Sequence, residues 1–326
     1  MGGISPTGIR TNLYAGRKLG DIVKLAIFSD TRQPTKADGG HGLGMSAHSI
    51  ASGLAARGHD VTLCAGHGSE FGNGRLQMFS SESEIANWYL NNVYLNREVG
   101  SYPVLDTSHF HQLSKFAPHA PVVNRVADLE CTYQPPNVVV NSWYMVERYP
   151  NASLVNTGII DPGAFRYNHD GYLLFAGRQE PQLGWHLVQD LAKQSDMPLR
   201  VASGLSGDDK WHLFAGAAVL IHPSQNRAAP RLPVEAGYCG VPTVCLSGDG
   251  AEHVVMDGLT GYVAQNALEL AQMVNLAMSL DRSKIYDWMK TNHDYDTMIN
   301  EYERLLLEVV DRPLLGGLWK QHLETS

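Results

Sequence analysis

The residues that could do chemistry fall in a few short stretches. Asp38–Gly44 reads DGGHGLG. Its glycines can bring backbone N–H groups against a phosphate or a sugar at a helix N-terminus. His41, between glycines, could touch the same phosphate or simply close the loop. The stretch also holds Gly42-x-Gly44-x-x-Ala47, the outline of a dinucleotide fingerprint. A dinucleotide turn follows its strand at once, and this loop runs for about ten residues. NAD binding is therefore disfavoured, and a glycine loop without ligand is the plainer alternative. Asp106-Thr-Ser-His-Phe-His111 ends a predicted strand, where cleft residues belong in an open α/β sheet. His109 could donate to a sugar or relay a proton there, or be a loop histidine satisfied by backbone. An H-x-H pair alone is weak evidence for metal. Asp128 and Glu130 could assist an acceptor hydroxyl. Asp294-Tyr-Asp296 has the D-x-D form of a metal site, but it precedes a helix-patterned stretch, and capping accounts for it. No metal site is expected.

Those residues need a scaffold. Val23–Asp30 reads as a buried strand, Ser46–Arg57 as a helix stopped by Gly58, and Val61–Ala65 as a second strand. That order is a βαβ unit, which implies a parallel sheet. Leu76–Phe79, Tyr102–Asp106, Pro121–Val126 and Asn137–Asn141 read as further strands. Helices are expected over Glu82–Asn92 and around Gln112–Phe116, and Trp143–Tyr149 and Ser153–Gly158 continue the alternation. Ile160–Asp170 has a Pro-Gly pair and no periodicity, as a linker does. The pattern then restarts. Strands are expected at Tyr172–Ala176, Leu199–Ala202, Val219–His222 and Thr243–Leu246. Helices are expected at Trp185–Lys193, Asp208–Ala215 and Leu232–Tyr238. Asp257–Gly261 reads as a turn, followed by a helical tail (Ala267–Ser279, Arg282–His293, Thr297–Val310). The simplest architecture is α/β, with two Rossmann-like doubly wound domains facing across a cleft. The expected divisions are an extension at 1–22, a first domain at 23–160, a linker at 161–170, a second domain at 171–293 and a helical tail at 294–326. That tail could cross back to the first domain.

The composition narrows the function. Of 326 residues, 44 % are hydrophobic and 18 % charged, as in globular proteins. Twenty-five Lys and Arg against 33 Asp and Glu give a net charge of −8, which argues against a general nucleic-acid binder. A local basic pocket for a phosphorylated small molecule is still allowed. No apolar run approaches the roughly 20 residues of a membrane span. The first residues lack the apolar core of a signal peptide. Cys64, Cys131, Cys239 and Cys245 are scattered, so neither a disulfide framework nor a structural zinc is expected, and a reducing cytoplasm is.

Pro223–Pro242 reads PSQNRAAPRLPVEAGYCGVP. It resembles the C-terminal half of the family 4 retaining glycosyltransferases. The usual form there is Pro-Ser, a glutamate, Phe-Gly, a second glutamate eight residues after the first, then Gly-x-Pro. Pro223, Ser224, Glu235, Ala236, Gly240, Val241 and Pro242 match it. Phe175–Gly184 looks like that family's strand-end Gly-Arg followed by Lys-Gly. Gly39–Gly40 and Leu54–Val61 look like its first βαβ unit. Val139–Arg148, Val155–Phe165 and Gly250–Gly258 resemble further stretches in the same order, so the likeness spans roughly residues 23–280. It implies the GT-B architecture, with a nucleotide-sugar donor (a UDP- or GDP-sugar) held mainly by the second domain. The acceptor would face the first domain. It also implies retention of configuration without a metal, and no permanently bound cofactor. By that match Arg178, after Gly177, contacts phosphate. Glu235 accepts from the ribose hydroxyls, with Arg231 and Leu232 beside it on the donor side. Gly39 and Gly40 approach the phosphate from the other domain.

Four positions depart from the family form. Arg227 stands where the first glutamate belongs, Leu183 where a lysine does, Pro230 where a glycine N–H would face phosphate, and Ala127, followed by Asp128, where a histidine does. In one reading the donor site is rebuilt. One cation is lost at 183 and one gained at 227, and Arg227 grips a phosphate or an acidic sugar in bidentate fashion. Arg178 and Arg227 then assist departure of the diphosphate, with His109 and Asp128 as the other candidate catalytic residues. In the other reading the site has decayed, and the chain is an inactive binding or scaffold protein. An NAD-dependent enzyme, or transfer to a modified DNA base, is a weaker alternative. Ser46–Arg57 and Glu82–Asn92 carry few Lys or Arg, so a soluble small-molecule or glycan acceptor is expected rather than one on a membrane surface.

Overall fold

The computed structural model describes residues 21–38, 42–91, 103–108, 111, 113–114, 121–127, 135–225 and 231–311. The first sheet is built from β1 (Lys24–Phe28), β2 (Asp60–Gly66), β3 (Arg75–Phe79), β4 (Val104–Asp106), β5 (Val122–Arg125), β6 (Val138–Val140) and β7 (Ser153–Leu154). Its order is β3-β2-β1-β4-β5-β6-β7, parallel throughout. The second is built from β8 (Leu173–Ala176), β9 (Leu199–Ala202), β10 (Val219–His222), β11 (Thr243–Leu246) and β12 (Gly261–Ala264). Its order, β12-β11-β10-β8-β9, is also wholly parallel. Parallel sheets need both faces covered, which is why the central strands are almost continuously apolar. Two doubly wound sheets match the expected fold class.

Helices α1 (Gly42–Ala56), α2 (Glu82–Tyr89) and α3 (Trp143–Arg148) accompany the first sheet. Helices α4 (Trp185–Gln194), α5 (Gly207–Ala215), α6 (Arg231–Tyr238), α7 (Ala267–Ala277) and α8 (Arg282–Asn292) accompany the second. The last helix, α9 (Tyr295–Asp311), carries Met298, Ile299, Tyr302, Leu305, Leu306 and Val309 on one stripe. That stripe packs into the core of the first sheet, with Ile27, Leu54 and Leu63. Gly53 makes this approach possible, because a Cβ there would lie 2.6 Å from Ile299 Cδ1.

Two elements differ from expectation. Helix α1 starts at Gly42, so Gly42 and Gly44 belong to its first turn and not to the loop. Burial of Gly44, Ala47 and Ile50 outweighs the poor helix propensity of glycine. Strand β12 follows the turn at 257–261, where only a turn and a helical tail are readable. Its four residues are too few for a period to show, and pairing with β11 creates it.

Strand order reverses between β1 and β4 in the first sheet and between β8 and β10 in the second. Crevices at the carboxyl ends of such strands are where open α/β sheets hold ligands.

Candidate active site in the cleft

At the second reversal, β8 runs into Gly177, whose φ is 131°. The Gly177 N–H donates to Ala202 O at 2.9 Å. A Cβ on Gly177 would lie 3.6 Å from Leu183 Cδ1, so an apolar side chain covers this turn. Gly184 closes the loop at φ 74°, and a Cβ there would sit 2.7 Å from Pro223 O. Only glycine lets this loop dock on the end of β10, which brings Arg178 and Pro223 to the same crevice. The Arg178 side chain is 67 % exposed, with Nη1 3.1 Å from Glu180 Oε1. Such a surface pair is worth little and gives way easily to a ligand.

Arg231 and Glu235 sit one turn apart on α6. Glu235 is fully buried, and its Oε1 accepts from Lys210 Nζ (2.8 Å) and Arg231 Nε (2.9 Å). Its Oε2 is buried with no hydrogen-bond partner. Lys210, on α5, was not picked out from sequence, because nothing local marks a partner 25 residues away. Leu232 packs, partly buried, against the core of the second sheet.

From α6, Arg231 also reaches toward the first sheet. It lines a small cavity with Ser46, Arg125, Asn141, Thr157 and Tyr302, of about 10 Å³ open to the centre of a water molecule. That is room for one water. Arg125 ends β5 and is 2 % exposed. Its Nε and Nη1, together with Asn141 Oδ1 and Thr157 Oγ1, are buried without hydrogen-bond partners. Sequence reasoning missed Arg125 and read it as part of a strand. The available signal was its place at a strand's carboxyl end.

Gly39, Gly40, His41, His109, Asp128, Glu130, Arg227 and Pro230 lie outside the described residues. Asp38, next to the glycine pair, accepts from the Gly207 N–H at the start of α5, so this loop meets the second unit. Among the described residues no hydrogen bond or ion pair joins Arg178 to Arg231 or Glu235. The structure thus brings Arg231 and Glu235 together, and places Arg178 just past the end of β8. Asp294 caps α9, its Oδ2 accepting from Thr297 N and Oγ1 at 2.8 Å each.

Ser224, His222 and Asp249 cluster at the carboxyl end of β10. Ser224 Oγ lies 3.0 Å from His222 Nε2, and Asp249 Oδ1 lies 3.7 Å from the same nitrogen. A nucleophile relay needs the two partners on opposite ring nitrogens, so this trio does not form one. Elsewhere, His253 Nε2 donates to Asn156 Oδ1 and His293 Nδ1 to Thr157 O, both at 2.8 Å. Burial pushes each imidazole down to about 4 and keeps it neutral.

Residues 189–293 match the family described as glycosyl transferases group 1. No curated protein matches the sequence. Several solved structures share the fold. One is AviGT4, a glycosyltransferase involved in avilamycin A biosynthesis, with a TM-score of 0.66 at 16 % identity over 88 % of this chain and 98 % of that one. Another is HepE of Anabaena, solved in complex with UDP, with a TM-score of 0.63 at 16 % identity over 87 % of this chain and 100 % of that one. A third is WaaG, a glycosyltransferase involved in lipopolysaccharide biosynthesis, with a TM-score of 0.55 at 16 % identity over 90 % of this chain and 100 % of that one. Residues 189–293 are therefore a glycosyl transferases group 1 segment, on a chain that carries the GT-B glycosyltransferase fold.

Proposed function

We propose that the chain moves a sugar from a nucleoside-diphosphate sugar to a small-molecule or glycan acceptor in the cleft between the sheets. Retention of configuration and independence from metal belong to this proposal. The observation that carries it is Arg231. This cation sits at the first turn of α6, beside its carboxylate partner Glu235, and faces the other sheet. A departing diphosphate needs fixed positive charge where its own charge develops, and a cation beside a helix N-terminus supplies that. Arg178 lies just past the end of β8, the strand beside β10, and Arg227 stands four residues before Arg231 in sequence. Glu235 Oε2 is the acceptor left over for ribose hydroxyls. His109 and Asp128 are proposed on the acceptor side.

In the proposed reaction the bond from the sugar's anomeric carbon to the diphosphate breaks. A bond to the acceptor oxygen forms on the same face, and the acceptor proton passes to the departing phosphate. The arginines stand in for the charge a metal would supply. Uridine is the favoured base, because HepE was solved with UDP and with UDP-glucose. No helix among the described residues is long and apolar enough to cross a membrane. The buried thiols of Cys64, Cys239 and Cys245 suit a reducing cytoplasm.

A second reading, nucleotide binding without transfer, is favoured by one observation: Leu183 and not a cation covers Gly177. Incubation with UDP- and GDP-sugars separates the two. Release of nucleoside diphosphate, raised by a productive acceptor, is expected from a transferase. Tight binding with no release above the protein-free rate would establish the second reading.

A further inference from the structure

We propose that Arg125 is a substrate-recognition residue, and that the cavity between Arg125 and Arg231 is a subsite for an anionic group, phosphate or carboxylate, of a substrate entering the cleft. This rests on reading the cleft as the substrate site.

A guanidinium is always charged, and burying one without a partner is costly. Arg282 shows how this chain satisfies a buried arginine that serves packing. Its nitrogens donate to the carbonyls of Arg166, Ala215, Ala217 and Cys239, at 2.7–3.1 Å. Arg125 is buried to the same degree or more, yet Nε and Nη1 meet no acceptor, and no carboxylate forms an ion pair with it among the described residues. A structural arginine would have been answered by carbonyls. An arginine held for a ligand keeps its donors free, as a preorganised site does.

The surroundings fit an oxyanion. Arg231 faces the same cavity, and Ser46 and Ser49 bring hydroxyls from the first turns of α1. Thr157 adds a hydroxyl without a partner that can donate to an anion, while Asn141 Oδ1 is an acceptor only and does not bind the anion. A single water fits the present volume, but a water does not neutralise the charge. Among the described residues, Arg231 is the one lining residue that comes from the second sheet's helices α4–α8. Its movement, alone or with that unit, opens the cavity to the cleft without disturbing the first sheet. The anion comes either from the donor's diphosphate or from a charged acceptor.

The test is calorimetry and thermal melting of Arg125→Met and Arg125→Lys beside wild type, with UDP, GDP, inorganic phosphate, glucose 6-phosphate and glucuronate as probes. Arg125→Met is expected to melt no lower than wild type without ligand, because it removes an unpaired buried charge. It is also expected to weaken an anion's binding by about tenfold or more. If nucleoside diphosphates weaken, the group belongs to the donor. If they bind unchanged while phosphate, sugar phosphate or glucuronate weakens, it belongs to the acceptor. If no nucleotide binds wild type but an anion still depends on Arg125, the subsite stands and the transferase reading fails. A lower melting temperature in both variants with every probe bound as in wild type overturns the proposal. Should Arg125→Met not fold, the Lys variant with Thr157→Val carries the same comparison.

Discussion

Arg125 and Arg231 line one cavity from opposite sheets, and among the described residues Arg231 alone of the two has a carboxylate partner. The first is a buried cation at the end of β5 that no described carboxylate pairs with. The second is tied at Nε to Glu235 and keeps part of its guanidinium for the cleft. Closing the two sheets on a substrate would place an anion between two cations of different freedom.

Glu235 holds two cations in a nearly dry environment. Glu235→Ala leaves Lys210 buried without its counter-charge and is expected to cost about 3–5 kcal/mol in urea unfolding. Lys210→Met combined with Glu235→Met should recover much of that loss, because the buried charges leave together. A double variant as unstable as Glu235→Ala would show that packing and not charge sets the cost.

His253 and His293 should make the fold acid-sensitive. Burial holds both near 4 in the folded chain, against an ordinary value of about 6.5. Between those values the unfolded chain binds more protons, so stability is full above about pH 6.5 and falls as pH drops toward 4, by up to about 3 kcal/mol each. Melting temperature across this range should fall less steeply in His253→Gln. Identical slopes in wild type and variant would remove His253 from the explanation.

Gly184→Ala combines a left-handed φ of 74° with a clash against Pro223. It should destabilise by about 2 kcal/mol or more and weaken nucleotide binding by shifting the Arg178 loop. Gly163→Ala is the control, with φ 66° and open space around the added Cβ, and should cost about 1 kcal/mol of backbone strain with binding intact. Equal costs at the two positions would mean that the Pro223 contact is not a constraint.

Arg178 separates stability from binding. Its exposed pair with Glu180 should contribute within about 0.5 kcal/mol, so Arg178→Ala should melt like wild type. Loss of nucleoside-diphosphate affinity in that variant would place Arg178 on phosphate. Unchanged affinity would leave it a surface residue.

Much of this was legible in sequence, and the reasons for the rest are specific. Runs such as Val23–Asp30 and Val219–His222 are apolar because both faces of their strands are covered, and that signal is local. Pro223–Pro242 carries its own landmarks on a strand, a helix and a turn. Arg125 was not legible as a site, because nothing around it in sequence says that its partners are missing. Lys210 was not legible as the partner of Glu235, because only the packing of α5 on α6 joins them. The start of α1 is not legible either, because glycine propensity is a weak guide where burial decides.

Nucleotide capture at α6 is tested most directly by calorimetric titration of UDP and GDP into wild type, Arg231→Ala and, as a control, the exposed α4 variant Lys193→Ala. One nucleoside diphosphate should bind wild type and Lys193→Ala alike, and bind Arg231→Ala about tenfold more weakly or worse. Equal affinity in all three proteins, or no binding of either nucleotide to well-folded wild type at millimolar concentration, would contradict a donor site at this helix.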